Sequence, residues 1–382
     1  TWTLHIENFA RIKKADITIS PLMCFVGDNN SGKSYVMSLL WGIMNNEEFF
    51  FALEDVQLES YKLCKEFILA HVHKVIALNQ EVVQTFVTFF NDLLAIHKED
   101  LATKIFNHDI EIGKLEIRNV LVSEDLSVKI KRSDKKPQLG FGRKLTTNLD
   151  ITDAIELHDL RIYQIAVDLP IEDKYLESAL WRASVHIAFN LIMFDWLKVS
   201  SNITEALPIY LPASRTGFLM TYRQIASGYL KGGQLSLTSP YIQFLQLLLE
   251  LTESDSQLQD DSAQLVNFIR SELLHGTVKV KNAGNIIRYQ ANDMKSELPL
   301  IVTSSVVTEL AALLLLLTTK VPVRLLIIEE PEAHLQPALQ KKIAQLLIRF
   351  VHSGICVWIT THSDTILHHF NNMLNLNALA QN

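Results

Sequence analysis

The sequence predicts an α/β protein in which a mixed β-sheet core with flanking helices is split by a mixed α+β insertion containing a helical lobe. Three observations point there. Leu22 to Val26 is continuously apolar and runs into a glycine-rich loop, then into a helix with little polar surface. Leu325 to Ile328 and Cys356 to Thr360 are two more apolar runs of strand length, separated by one amphipathic helix. Between these two ends, helical and strand periodicities alternate without an internal repeat or a low-complexity linker.

Taken in order, Leu4 to Ile6 and Ile17 to Ile19 alternate apolar and polar residues, as half-exposed strands do. Leu22 to Val26 reads as a strand buried on both faces, and Lys33 to about Met44 as a buried helix. Glu54 to Asn107 is read as helical, with Phe67, Leu69, Val72, Val75 and Ile76 at three-and-four spacing. That spacing is no clean heptad, so packing within the lobe is expected rather than a coiled coil. Ile110 to Lys131 reads as strands and Ser133 to Lys144 as a loop. Helices are expected at Glu177 to Val199, Ser239 to Thr252 and Ala263 to Leu274. Val278 to Val280 and Ile286 to Tyr289, joined through Asn282 to Asn285, form a hairpin pattern. Ser305 to Leu317 is a buried helix, and Pro337 to Val351 an amphipathic one with Pro at its start and Gly354 past its end. The expected organisation is a discontinuous core, residues 1–50 and 205–382, with an insertion at 51–204.

The 382 residues, 48% hydrophobic and 20% charged, suffice for a sizeable core. A net charge of -7 supplies no global positive field for nucleic acid. One basic run holds Lys129, Lys131, Arg132, Lys135, Lys136, Arg143 and Lys144 against a single acid, Asp134. A solvated hairpin is the simpler reading, and contact with nucleic acid or an acidic partner the alternative. Cys24, Cys64 and Cys356 form no metal-binding spacing and read as small buried hydrophobes in a reducing compartment. No secretory leader pattern is present, and the apolar run Leu310 to Leu317 is followed by Lys320, Pro322 and Arg324, so no membrane span and a cytoplasmic location are expected. With about twenty residues after His362, no further domain is expected there.

Gly27-Asp28-Asn29-Asn30-Ser31-Gly32-Lys33-Ser34 fits the pattern of a phosphate-binding loop, between a strand and a helix. Its glycines let backbone N–H groups converge on phosphate oxygens, and the helix N-terminus that follows, with Tyr35 in its first turn, adds its positive dipole end. Lys33 is expected to reach the β- and γ-phosphates and Ser34 to complete a magnesium shell. The alternative is a plain glycine-rich turn. Leu325 to Ile328 then ends in two carboxylates. Glu329 is expected to hold Mg2+ through water, and Glu330 to orient and deprotonate an attacking water. The alternative is that acids cap the segment after a strand. Thr360-Thr361-His362-Ser363 follows the last apolar run, and His362 is the candidate contact to the γ-phosphate or that water; His368 and His369 read as surface residues. Arg215 is assigned either to the nucleotide or a partner, or to a structural ion pair.

These motifs, in this order, resemble the ABC ATPase class. Ile328-Glu-Glu-Pro-Glu-Ala-His-Leu-Gln-Pro337 resembles the overcoming-lysogenization-defect-like ATPases of bacterial anti-phage defence. Leu211-Pro-Ala-Ser-Arg-Thr-Gly217 and the hairpin leading into Pro299-Leu-Ile-Val-Thr-Ser304-Ser305 are similar to segments of the same group. The likeness covers roughly the first 45 and last 170 residues. It implies ATP and Mg2+ as cofactors and hydrolysis to ADP and phosphate. It makes Thr303 to Ser305 a signature segment in which Ser304 or Ser305 caps the γ-phosphate on another subunit, although the glycines of the usual pattern are missing. Ala333 to Pro337 becomes a D-loop at a dimer interface. Members of the group often carry a C-terminal Toprim nuclease, for which the chain ends too soon, implying an ATPase that works with a separate effector, a nuclease or toxin.

The function expected from the sequence is thus an ATP-hydrolysing switch or scaffold, at least a dimer with composite ATP sites. Two alternatives stand beside it: a RecF- or SMC-like DNA repair ATPase, and an ATP-stabilised scaffold that holds a toxin with incidental hydrolysis.

Overall fold

The computed structural model describes residues 1–122, 126–133, 163–193, 208–233, 236–251, 260–281, 286–318 and 323–380. In chain order the elements are β1 (Thr3–Phe9), β2 (Ile12–Thr18), β3 (Leu22–Val26), α1 (Lys33–Asn45), α2 (Glu47–Phe51), α3 (Glu59–Ala70), β4 (Val75–Ala77), α4 (Gln80–Phe106), β5 (Ile112–Arg118), β6 (Leu126–Ser133), β7 (Tyr163–Pro170), α5 (Leu176–Met193), β8 (Ile209–Leu211), α6 (Arg215–Leu230), α7 (Ser239–Glu250), α8 (Asp260–Phe268), β9 (Gly276–Lys281), β10 (Ile286–Ala291), β11 (Leu298–Pro299), α9 (Ser305–Thr318), β12 (Leu325–Glu329), α10 (Pro337–His352), β13 (Cys356–Thr361) and α11 (Asp364–Ala380). The chain is therefore α/β.

By packing it divides into two compact units. The first comprises Thr1–Ser20, Ile43–Lys104 and His108–Glu205; the second comprises Pro21–Gly42, Ile105–Asn107 and Ala206–Asn382. Residues 1–20, expected with the C-terminal core, pack in the first unit because β1 lies antiparallel between β2 and β5. That sheet buries His5, whose Nδ1 faces Asp16 Oδ1 at 2.7 Å and whose Nε2 faces Glu7 Oε1 at 2.9 Å. Hydrogen bonds from His5 hold both carboxyls below their ordinary range. A second sheet has the order β4-β6-β7, and Trp181, Tyr61, Phe50, Phe89 and Phe90 form an aromatic core.

The second unit is built on a parallel sheet of order β3-β13-β12-β8. Its register pairs Val26 with Thr361, Thr360 with Glu329, and Leu211 with Ile328, so all four strands end at one edge. Helix α9 is buried along almost its whole length, as Leu310 to Leu317 demands. Helix α10 buries only Ile343, Ala344, Leu346, Leu347 and Phe350, starts on Pro337 and gives way to Gly354 at φ 83. The parallel connection from β12 through α10 to β13 places the two strand ends side by side.

Four expectations change. Residues 54–107 are not uniformly helical: Val75 and Ile76 belong to β4, which pairs with Ser127–Lys129 of β6. Strand β3 is not buried on both faces: Met23 is buried, but Leu22, Cys24 and Phe25 are only half-buried and Val26 is 51% exposed. His369 is half-buried rather than a surface residue, and its Nε2 has no hydrogen-bond partner among the described residues. Strands β7 and β8 and helix α6 arise where no element was expected. The basic loop from 134 to 144 and the hairpin turn at 282–285 lie outside the described residues.

Candidate nucleotide site

The loop Gly27 to Gly32 leaves β3 at the C-terminal edge of the parallel sheet and enters α1 at Lys33. Gly27 (φ 147), Asn30 (φ 61) and Gly32 (φ 101) occupy backbone conformations that bend the chain back on itself. At Gly27 a Cβ would meet Ser31 Oγ at 3.4 Å, so a side chain there narrows the loop. Lys33 lies over the loop: its Nζ donates to Gly27 O and Asp28 O, each at 2.8 Å, and to Ser31 Oγ at 3.4 Å. Asp28, Asn29, Asn30 and Ser31 are exposed along the loop, Ser34 is exposed on the first turn of α1, and Tyr35 beside it stacks on Phe106 at 5.3 Å.

The acidic strand end is held from several sides. Glu329 is 2% exposed, and its carboxylate accepts from three donors: Tyr210 Oη at 2.8 Å, Ala213 N at 3.0 Å and Tyr241 Oη at 3.0 Å. Burial, and then the Glu329 charge, pushes both phenols above their ordinary range, so each stays protonated and donating. Ser38 of α1 donates to Tyr210 Oη at 3.4 Å, which links the helix after the loop to the acid.

Glu330 has φ 43, a left-handed conformation that costs a non-glycine residue about 1–3 kcal/mol and persists where its surroundings over-determine it. They do: Glu330 N donates to Thr360 O at 3.0 Å, and Arg215 Nη2 donates to Glu330 O at 3.1 Å. The result carries the Glu330 side chain out of the strand, 43% exposed, with Oε1 3.9 Å from His362 Nε2. His362 is fixed through its backbone, whose N–H donates to Glu332 Oε1 at 2.8 Å; the same oxygen accepts from Thr361 Oγ1 at 2.7 Å. Glu332 Oε2 is a buried acceptor with no partner among the described residues. Ser363 Oγ donates to Gln340 Oε1 at 2.6 Å, and Gln340 Nε2 donates to Leu335 O at 2.8 Å, so α10 ties the segment 333–337 to the segment after β13.

Arg215 is the buried cation of this edge. Only 2% exposed, it pairs with Glu309 at 2.8 Å and donates to Glu329 O at 2.7 Å. Burial pushes its guanidinium down, against the opposing pull of Glu309, Glu332, Glu329 and Glu330. The ion-pair reading of Arg215 is the one observed. Ser304 and Ser305 are exposed at the start of α9, where Ser304 Oγ accepts from Val307 N at 3.4 Å as an N-cap. Sequence reasoning missed Tyr210, Tyr241, Glu309, Glu332, Thr361 and Gln340. Glu332 alone carried a signal, as the third acid of Glu329-Glu-Pro-Glu332.

Over residues 3–367 the chain matches the model of the AAA ATPase domain family. The chain belongs to this family. As an AAA ATPase domain it is a nucleotide-binding ATPase of α/β fold. No curated protein matches the chain. Among solved structures it is similar to an Smc head bound to the C-terminal winged-helix domain of ScpA, at 12% identity and TM-score 0.37, over 96% of this chain and 90% of that chain. It is also similar to an Smc head domain with an extended coiled coil bound to the C-terminal domain of ScpA, derived from Pyrococcus furiosus, at 10% identity and TM-score 0.34, over 96% of this chain and 90% of that one. No helix among the described residues is long and apolar enough to cross a membrane.

The family implies a nucleotide with magnesium, and the residues fit both. An ionised carboxylate has about four lone-pair sites. The three donors on Glu329 leave one lone-pair site, which a metal ion or a metal-bound water could take. Ser34 offers an exposed hydroxyl at the helix start. Four carboxylates, Glu309, Glu332, Glu329 and Glu330, surround Arg215 at this edge, a charge set that suits a divalent cation.

Proposed function

We propose that this AAA ATPase domain is an ATP-hydrolysing switch of the ABC type, related to the overcoming-lysogenization-defect-like ATPases, and that it controls a separate effector protein in anti-phage defence. The ATPase subunit of the PARIS anti-phage system fits this description. The observation that carries the hydrolytic part is the placement of Glu330 and His362 at 3.9 Å, on strand ends flush with the loop that precedes Lys33.

In this reading the N–H groups of 27–35 and Lys33 bind the phosphates, and Ser34 and Glu329 hold magnesium, which supplies charge neutralisation. Glu330 takes the proton of the attacking water. His362 contacts that water or the γ-phosphate. Lys33 exchanges bonds to Gly27 O and Asp28 O for phosphate oxygens. Ser304 or Ser305, exposed at the N-terminus of α9, caps the γ-phosphate bound to a second copy. Closure of two copies around ATP, and reopening after hydrolysis, is the differential binding that a switch requires.

The test is turnover of Mg-ATP by the purified protein and two variants. Glu330→Gln should keep nucleotide affinity and lose turnover by on the order of 10²–10⁴-fold, as for a removed general base. Lys33→Ala should lose binding itself. Full turnover by Lys33→Ala refutes the reading. Duplex DNA added to the same assay separates a repair ATPase, which it stimulates, from an effector switch, which it does not. A scaffold would retain its effector with Glu330→Gln and show no change on hydrolysis.

A further inference from the structure

Among the described residues, the pair Arg215–Glu309 is the most buried ion pair of the second unit, with both side chains 2% exposed, and its position is specific. A salt bridge serving only to join α6 to α9 needs no strand. Here the guanidinium instead forks across two successive carbonyls, Nη1 on Glu329 O at 2.7 Å and Nη2 on Glu330 O at 3.1 Å. These are the two acids of the site, and the second of them holds the left-handed backbone that turns its carboxylate outward. A planar fork reaches both carbonyls at once, which a lysine ammonium on a single flexible stem does not reproduce.

The other half of the pair faces elsewhere. Glu309 lies one helical turn beyond Ser305 on α9, so the carboxylate that neutralises Arg215 rides on the helix whose first turn exposes Ser304 and Ser305. Glu309 Oε1 accepts from Thr216 Oγ1 at 2.6 Å, and His334 Nε2 stands 3.9 Å away from it. The carboxylate is thereby fixed against α6 and against the segment that follows the two acids.

We infer that Arg215 and Glu309 are positioning residues for hydrolysis: they set the backbone of Glu329–Glu330 and tie it to the serine-bearing end of α9, so that engagement of those serines and the aim of Glu330 move together. The inference rests on the proposed ATPase reading and adds a route by which one face of a subunit reports to its own hydrolytic acid.

The test compares wild type, Arg215→Lys, Thr216→Val and Glu330→Gln, with Arg215→Lys also combined with Glu330→Gln. Each is measured for Mg-ATP affinity, single-turnover hydrolysis and thermal unfolding. Arg215→Lys keeps the charge opposite Glu309 and loses the fork; it should bind ATP within about threefold of wild type and hydrolyse it roughly 10²-fold more slowly, the scale of a misaimed catalytic group. Combined with Glu330→Gln it should add no further loss, because it acts through Glu330, whereas a purely structural role gives an additive loss. Thr216→Val, which removes only the hydroxyl on Glu309, covers the case in which Arg215→Lys does not fold; it should slow hydrolysis with affinity unchanged. Wild-type hydrolysis rates in the folded Arg215→Lys variant overturn the inference, as do wild-type rates in Thr216→Val where Arg215→Lys fails to fold. If Lys33→Ala and Glu330→Gln abolish turnover while Arg215→Lys does not, only the positioning role falls. If wild type does not hydrolyse ATP, both readings fall.

Discussion

Glu329 sits under three donors, two of them phenols that burial keeps protonated. Tyr241→Phe removes one donor and leaves the Ala213 N–H on the same oxygen. A hydrogen bond to a charged group contributes about 1.5–3 kcal/mol. The denaturation midpoint should fall accordingly, and turnover should drop several-fold as the acid gains freedom. Because both phenols titrate well above neutrality, they should add no inflection to the pH–rate profile between pH 6 and about 9; an inflection there lost in Tyr241→Phe contradicts the assignment. The loop was legible at this scale because phosphate chemistry fixes residue types within one short segment, Gly27 to Ser34. The link from Arg215 to Glu309 was not, because its two residues lie far apart in the chain and no spacing rule joins them.

At the scale of elements, the antiparallel sheet β2-β1-β5 carries a pH-dependent contribution. His5 faces Asp16 through Nδ1 and Glu7 through Nε2. The two carboxyls are depressed, so the stability they contribute is present above their unfolded values and lost as pH falls through their folded ones. His5→Gln should be less stable than wild type at neutral pH, with the gap closing as the carboxyls protonate. Asp16 is exposed and Glu7 half-buried, so screening is strong; denaturant titrations at low salt are the measurement, and a gap that stays constant down to acid pH refutes it. Elements were legible where one periodicity ran long enough. Leu310 to Leu317 and the Pro337–His352 helix announce themselves in this way. Val75 and Ile76 carry helical spacing yet form a strand, because pairing with β6 decides the matter from far along the chain. Strand β8 is three residues between Pro208 and Pro212, too short for any period to register. Helix α6 holds Gly217 and Gly228 and a polar surface that dilutes its pattern.

For the whole molecule, the serine-bearing end of α9 projects exposed residues, among them Ile301 at 69% and Val302 at 64% just before Ser304. In the proposed sandwich this end meets the loop of a second copy. Glu330→Gln with Mg-ATP should therefore at least double in mass by light scattering, and Ser305→Arg, which puts bulk and charge on that end, should abolish the shift. A mass unchanged by ATP in Glu330→Gln refutes the composite site.

The flush ends of β3, β13, β12 and β8 have a consequence for how the chain tolerates change in length. Among the described residues, the chain leaves the parallel sheet at Val26 and rejoins it at Ile209, yet Val26, Thr361 and Glu329 stay in step because hydrogen-bonded register aligns them. Loop-closure entropy grows only slowly with the number of residues between the joined points. Insertions and deletions between α1 and β8 can therefore accumulate without shifting the acids against the loop, whereas one residue added inside β12 or β13 reverses every side chain beyond it.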